Sequence, residues 1–166
     1  MNWNVVTELT PPIIALHWGT AVLAFFLGLI ILLRPKGTGA HRTLGLFYAA
    51  AMVITAVAAF FVREGDVSGW AYLSFAGMSP IHLFVPMTLF GIASGLLGAL
   101  VWKNASAHRS AMISTYVGAL LIAGLFTFLP GRRMHLLIFA DPAEVEAIMK
   151  SMPPQGGADK RKAATD

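Results

Sequence analysis

Four stretches of this chain, Ile13 to Leu33, Thr43 to Val62, Pro80 to Trp102 and Ser110 to Leu129, contain no Asp, Glu, Lys or Arg. Each matches the roughly 20 apolar residues that cross a hydrocarbon core. In lipid no water satisfies a free backbone N–H or C=O, so each stretch closes its hydrogen bonds as a helix. Of the 166 residues, 57% are hydrophobic and only 12% charged, with mean hydropathy +0.70, too few charges to clothe a soluble globule. The expected fold class is therefore all-α, an integral membrane four-helix up-and-down bundle. It fills one domain, residues 1–152, which leaves no room for a separate soluble unit.

Lys160, Arg161 and Lys162 sit in a Pro, Gly, Ala and charge-rich stretch that begins at Pro153. Such a composition cannot bury enough apolar surface to order itself, so residues 153–166 read as a disordered tail rather than a nucleic-acid-binding face. Before it, Asp141, Pro142 and Glu144 supply an N-cap acid, a proline at N1 and a glutamate at N3. A short interfacial helix is predicted there, with Val145, Ile148, Met149 and Met152 turned to the membrane. Trp70, Tyr72 and Phe75, between spans two and three, suit the headgroup level.

Arg34, Lys36, Arg42, Lys103 and Arg109 lie at one set of span ends, against Arg63, Arg132 and Arg133 at the other. The excess places the first two groups of loops in the cytoplasm and both termini outside a plasma membrane. The first span has no Lys or Arg before it and is longer than a signal h-region, so it is expected to stay in the mature protein. With no cysteine, disulfides, thiolate metal sites, iron–sulfur clusters and covalent haem attachment are excluded.

An internal repeat organises the spans. Leu16-His17 opens the first, and Gly39-Ala40-His41-Arg42 opens the second; Ile81-His82 opens the third, and Ser106-Ala107-His108-Arg109 the fourth. The chain thus reads as two copies of one helical hairpin. Ala24 and Gly28 in the first span, and Gly91 and Gly95 in the third, have the small-xxx-small spacing that lets helices approach closely in lipid.

Alternating helix direction puts His17 and His82 at one membrane face and His41 and His108 at the other. In an up-and-down bundle each pair comes from diagonal helices and can meet across the interior. Bis-histidine ligation of haem b needs that arrangement, with the paired rings on opposite sides of one iron. From His17 to the end of its span is about sixteen residues, roughly 24 Å of helix, so two such sites would face opposite sides of the bilayer. The predicted layout is that of a transmembrane electron carrier, with His17, His82, His41 and His108 as metal ligands and Arg42 and Arg109 neutralising propionates.

The competing reading comes from the bilayer itself, which tolerates polar residues best at helix ends. On that reading His41 and His108 steady the turn with the adjacent arginines, and Arg42 and Arg109 anchor to lipid phosphates. The chain is then a non-catalytic membrane subunit or scaffold. A quinone or metal site at one face only is a third reading. A redox partner and a homo-oligomer are compatible with each. Met112, one turn after His108, reads as core; His135 carries no assigned role. No acid lies inside a span, which argues against a proton relay, and no H-E-x-x-H, G-x-S-x-G or phosphate-binding loop occurs.

The stretch Lys36-Gly37-Thr38-Gly39-Ala40-His41-Arg42-Thr43-Leu44-Gly45-Leu46-Phe47-Tyr48, with the later His108-Arg109-x-x-Met112, resembles a family of small bacterial predicted membrane proteins of unknown function. Those proteins have four spans and an H-R-x-x-G turn motif, and the resemblance runs from about His17 to Phe139. It implies fold and location. Many members carry a basic residue after that glycine, where this chain has Leu46. The placing of His17, His41, His82 and His108 is also similar in layout to the ascorbate-reducing transmembrane dihaem cytochromes b, which use one histidine on each of four consecutive helices.

Overall fold

The computed structural model describes residues 10–62, 80–129 and 133–151. Helix α1 spans Pro12–Leu33 and α2 spans Gly39–Phe61, both long and apolar enough to cross a membrane. The third span opens with a 3-10 turn, Pro80–Leu83, and continues as α3, Phe84–Leu100. Its 17 helical residues make it shorter than the expected Pro80 to Trp102. Proline explains the break: Pro86 has no N–H to return to the His82 carbonyl, so α-helical bonding cannot extend through His82. The fourth span, Ala105–Phe126, consists of α4 (Ala105–Thr115), a π-helical segment (Tyr116–Ile122) and α5 (Ala123–Phe126).

Two side-chain caps move the second and fourth helices outward from the expected starts at Thr43 and Ser110. The Thr38 hydroxyl accepts from the His41 N–H at 3.1 Å, and the Asn104 side chain accepts from the Ala107 N–H at 3.0 Å. Each satisfies a donor that the first helical turn leaves bare. A left-handed residue precedes each cap, Gly37 at φ 78° and Lys103 at φ 49°. The two hairpin turns thus repeat in geometry as well as in sequence. In the first, the Lys36 ammonium also donates to the Ile31, Leu32 and Arg34 carbonyls at 2.7 to 2.9 Å, closing the C-terminal end of α1.

Packing is most extensive within each hairpin, α1 on α2 and α3 on α4; α2 also packs on α3, and the π segment touches both α1 and α3. The helices therefore form a closed up-and-down ring. Its interior holds Ala24, Tyr48, Ala49, Ala51, Met52, Ile92 and Tyr116. Outside, Leu33, Phe90 and Leu125 are 79%, 76% and 69% exposed, an apolar surface that only lipid makes tolerable.

The small residues act where their spacing predicts. A Cβ at Gly91 would strike the Thr115 hydroxyl and one at Gly95 the Met112 side chain, so α3 lies against α4 along a strip that has no room for side chains. Met112 packs against the core, as expected. At Gly28 of α1 an added Cβ would strike the rings of Tyr116 and Tyr48.

Past the fourth span, α6 (Arg133–Ile138) and α7 (Pro142–Ser151) follow, the latter starting where the capping residues predict. Val145 is only 3% exposed, so the expectation that it faces the membrane is corrected: it packs against protein. The aromatic connector, Arg63, Arg132, Met152 and the tail from Pro153 lie outside the described residues.

Candidate functional site

The α2 and α4 caps put His41 and His108 in the first turns of their helices, at the same end of the bundle. Their ring centroids are 6.2 Å apart and their planes cross at 86°. The pair bridges the bundle diagonal.

The neighbours of His108 fix its tautomer. Its Nδ1 lies 2.8 Å from the Gly95 carbonyl, which can only accept, so Nδ1 carries the proton and the neutral ring keeps its lone pair on Nε2. Gly98 allows this approach, since a Cβ there would sit 2.9 Å from the His108 backbone nitrogen. His41 differs: its Nδ1 is buried, and no hydrogen bond holds its ring among the described residues. Arg42 and Arg109 follow the two histidines on exposed positions, and neither joins an ion pair among the described residues.

At the opposite end His17 Nδ1 donates to the Thr55 carbonyl at 2.9 Å, which leaves the neutral-ring lone pair on Nε2. His82 donates through Nε2 to the Val62 carbonyl at 2.7 Å, which leaves it on Nδ1. Thr55 also donates its hydroxyl to Thr20 at 2.8 Å, and Thr20 returns to the Leu16 carbonyl at 2.8 Å. The His17 end is thus held by α1–α2 cross-links. His135, in α6, has a buried Nδ1 without a partner among the described residues and stands against Phe139, ring centroids 5.6 Å apart.

Metal-site geometry gives a test of fit. Two imidazoles binding one iron at about 2.0 Å, each with its ring centre about 1.1 Å behind the bound nitrogen, have centroids roughly 6.2 Å apart. His41 and His108 stand at that separation with their rings in edge contact. Among the described residues no group of three or more His, Cys, Asp or Glu could hold a metal ion, so a bare tetrahedral centre has no ligand set there.

Sequence reasoning passed over Tyr48 and Tyr116. They meet over Gly28 in the bundle core, at 5% and 6% exposure. The Tyr116 hydroxyl donates to the Phe25 carbonyl at 3.3 Å, whereas the Tyr48 hydroxyl is buried without a partner among the described residues. A sequence signal was available: Tyr48 stands one heptad beyond His41 on α2, the spacing that keeps both on one helix face. Two grooves of about 230 Å³ each face outward, one between α3 and α4 by Gly91, Ser94 and Ser114, the other by Leu16, Ile54 and Phe61. None of the histidines lines either groove.

A family model described as "Predicted membrane protein (DUF2306)" matches residues 14–142. No curated protein and no solved structure matches the chain.

Proposed function

The chain belongs to the DUF2306 family of predicted membrane proteins, and we propose that within the membrane it is an electron carrier. In this reading His41 and His108 hold one b-type haem and His17 and His82 a second at the other face. The observation that carries it is the His41–His108 geometry, 6.2 Å between ring centres with perpendicular planes. Bound haem supplies a one-electron couple. The chain's own residues would orient the ligands, through the Gly95, Thr55 and Val62 carbonyls, and keep water from the interior with Tyr48, Met52 and Tyr116. Arg42 and Arg109, beside the first pair, supply positive charge where propionates would emerge.

The test is the colour of the protein purified after expression with ample haem. Two low-spin haem signals are expected; His17→Ala should remove one and His41→Ala should diminish or convert the other. Colourless protein, with all four alanine variants alike, would sink the reading.

One observation favours a second reading, the non-catalytic scaffold. Three of the four histidines donate to backbone carbonyls, in each case outside their own helix, as a purely structural staple would. In that case each alanine variant lowers thermal stability in detergent and no chromophore is lost.

The bilayer side is part of the same proposal. With Arg34, Lys36, Arg42, Lys103 and Arg109 in the cytoplasm, the His41–His108 pair faces the cytoplasm and both termini lie outside the plasma membrane. The chain has no cysteine, so a Gly39→Cys reporter is the single thiol present. It should be labelled from the cytoplasm of opened cells and stay unlabelled by an impermeant reagent on intact ones. Labelling from outside would reverse the orientation.

A further inference from the structure

We propose that the end of the bundle where α2 and α4 begin is a docking surface for anionic phospholipids, with Arg34 and Lys103 among the groups that hold their phosphates. The proposal goes beyond the electron-carrier reading and is independent of it, since Arg34 and Lys103 have no part in holding a haem.

Charge at this end is unbalanced. The two hairpin turns and the helix starts after them carry Arg34, Lys36, Arg42, Lys103 and Arg109, all exposed. Among the described residues the acids are Asp141, Glu144 and Glu146, and all three lie past the far end of the fourth span. Lys36 is accounted for by the Ile31, Leu32 and Arg34 carbonyls. The side chains of Arg34, Arg42, Lys103 and Arg109 make no hydrogen bond or ion pair among the described residues. Beyond the other end, by contrast, Lys150 has Glu146 at 2.6 Å.

Lys103 also carries a backbone cost that topology does not explain. At φ 49° it is the one non-glycine residue with positive φ among the described residues. In that conformation a Cβ crowds the following carbonyl. The first hairpin turn fills the matching place, directly before its helix cap, with Gly37 at φ 78°, which adopts it freely. The second turn is fixed on both sides of the bend: the Asn104 N–H donates to the Gly98 carbonyl at 2.8 Å, and its side chain accepts from the Ala107 N–H at 3.0 Å. Orientation in the bilayer depends on how many cations lie on a side. A glycine at 103, with a lysine elsewhere in the turn, would serve it equally. A strained residue kept at one position points to something that this position touches.

The depth of these cations selects lipid over a soluble partner. Arg34 follows Leu33, and Lys103 follows Val101 and Trp102, 63% and 60% exposed. One turn inside Arg42 stand Leu46 and Phe47, also exposed. Each charge is thus joined to side chains that lie in hydrocarbon, and Trp102 suits the headgroup level. At that depth the nearest negative charge is a phospholipid phosphate, and basic residues flanking spans gather anionic lipids. An acidic protein would meet this surface only from beyond the headgroups.

The experiment uses the full chain, purified without added haem and placed in phosphatidylcholine nanodiscs with or without phosphatidylglycerol. Phosphatidylglycerol should raise the unfolding midpoint of the parent by a few degrees, because a ligand of the folded state stabilises it, and high salt should shrink that gain. Lys103→Gly should unfold at higher temperature than the parent in pure phosphatidylcholine, where only the strain is removed, yet gain less from phosphatidylglycerol. These opposite signs are not expected of a purely structural lysine. Arg34→Gln/Lys103→Gly should keep about half of the parental gain, two of the four unpaired cations being gone. It should also retain fewer phosphatidylglycerol molecules in native mass spectrometry. Lys150→Gln should keep the gain whole, and inorganic phosphate or polyglutamate added to phosphatidylcholine discs should not reproduce it. A parent indifferent to phosphatidylglycerol, a double variant with the full gain, or a gain matched by phosphate or polyglutamate in solution would overturn the inference, the last by assigning the surface to a soluble anion. With no haem present, none of these outcomes bears on the electron-carrier reading, and a colourless protein leaves the lipid surface standing.

Discussion

Replacing Gly28 by leucine should unfold the bundle at markedly lower temperature in detergent than the parent. The Cβ alone would strike the rim of the Tyr116 ring and lie 3.1 Å from Tyr48 Cε2. Neither is the far end of a flexible side chain, and both rings belong to a core cluster with the fully buried Met52 and Ala24, which leaves them little room to shift. Overpacking of this kind costs about 1–3 kcal/mol for a few extra methylenes and more when an aromatic pair must move. Gly28→Ala should sit at the low end of that range and Gly28→Leu beyond it. Gly19→Ala is the control, because nothing lies within 4 Å of a Cβ there. It should be neutral or stabilising, by up to about 1 kcal/mol from helix propensity. A Gly28→Leu protein as stable as the parent would mean that the two tyrosines do not pack over α1.

Tyr48→Phe should have the opposite sign. The phenol oxygen is buried in the core with no hydrogen-bond partner, and stranding such a group costs about 1–3 kcal/mol relative to a state that satisfies it. Removing the oxygen keeps the ring that fills the space beside Gly28, so a gain of about 1 kcal/mol is expected, read as a higher unfolding midpoint. Tyr116→Phe gives the comparison. Its hydroxyl reaches the Phe25 carbonyl at 3.3 Å, so its loss should be neutral to mildly destabilising. A destabilised Tyr48→Phe protein would mean that the hydroxyl has a partner in the membrane, a buried water or a bound group.

Much of this architecture was legible in the chain because lipid permits so few solutions. Uncharged runs of membrane length have one backbone conformation available to them, and short basic turns between them force antiparallel neighbours. The register of the small residues, Ala24 with Gly28 and Gly91 with Gly95, likewise carried over into contact, since in lipid close approach of backbones is what associates helices. Helix starts were less legible. Charge marks a boundary at Arg42 and Arg109, whereas Thr38 and Asn104, which cap the helices, lie before those arginines. Capping competes at the level of single hydrogen bonds, which hydropathy does not register.

Sequence by itself determined that the chain lives in a membrane, that it folds as an all-α bundle, and that histidines stand at the ends of its spans. Those properties follow from transfer energies and periodicity, which are local. Only the tertiary structure decided which nitrogen of His17, His82 and His108 bears the proton, that His108 is anchored on Gly95 while His41 is not, and that Tyr48 and Tyr116 close the core over Gly28. Each of these depends on which atoms of distant helices arrive within about 3 Å of one another, the range at which a hydrogen bond is made or missed. A repeat that looks symmetric along the chain becomes asymmetric once the bundle closes, because one hairpin must yield its inner face to aromatic rings that the other never meets.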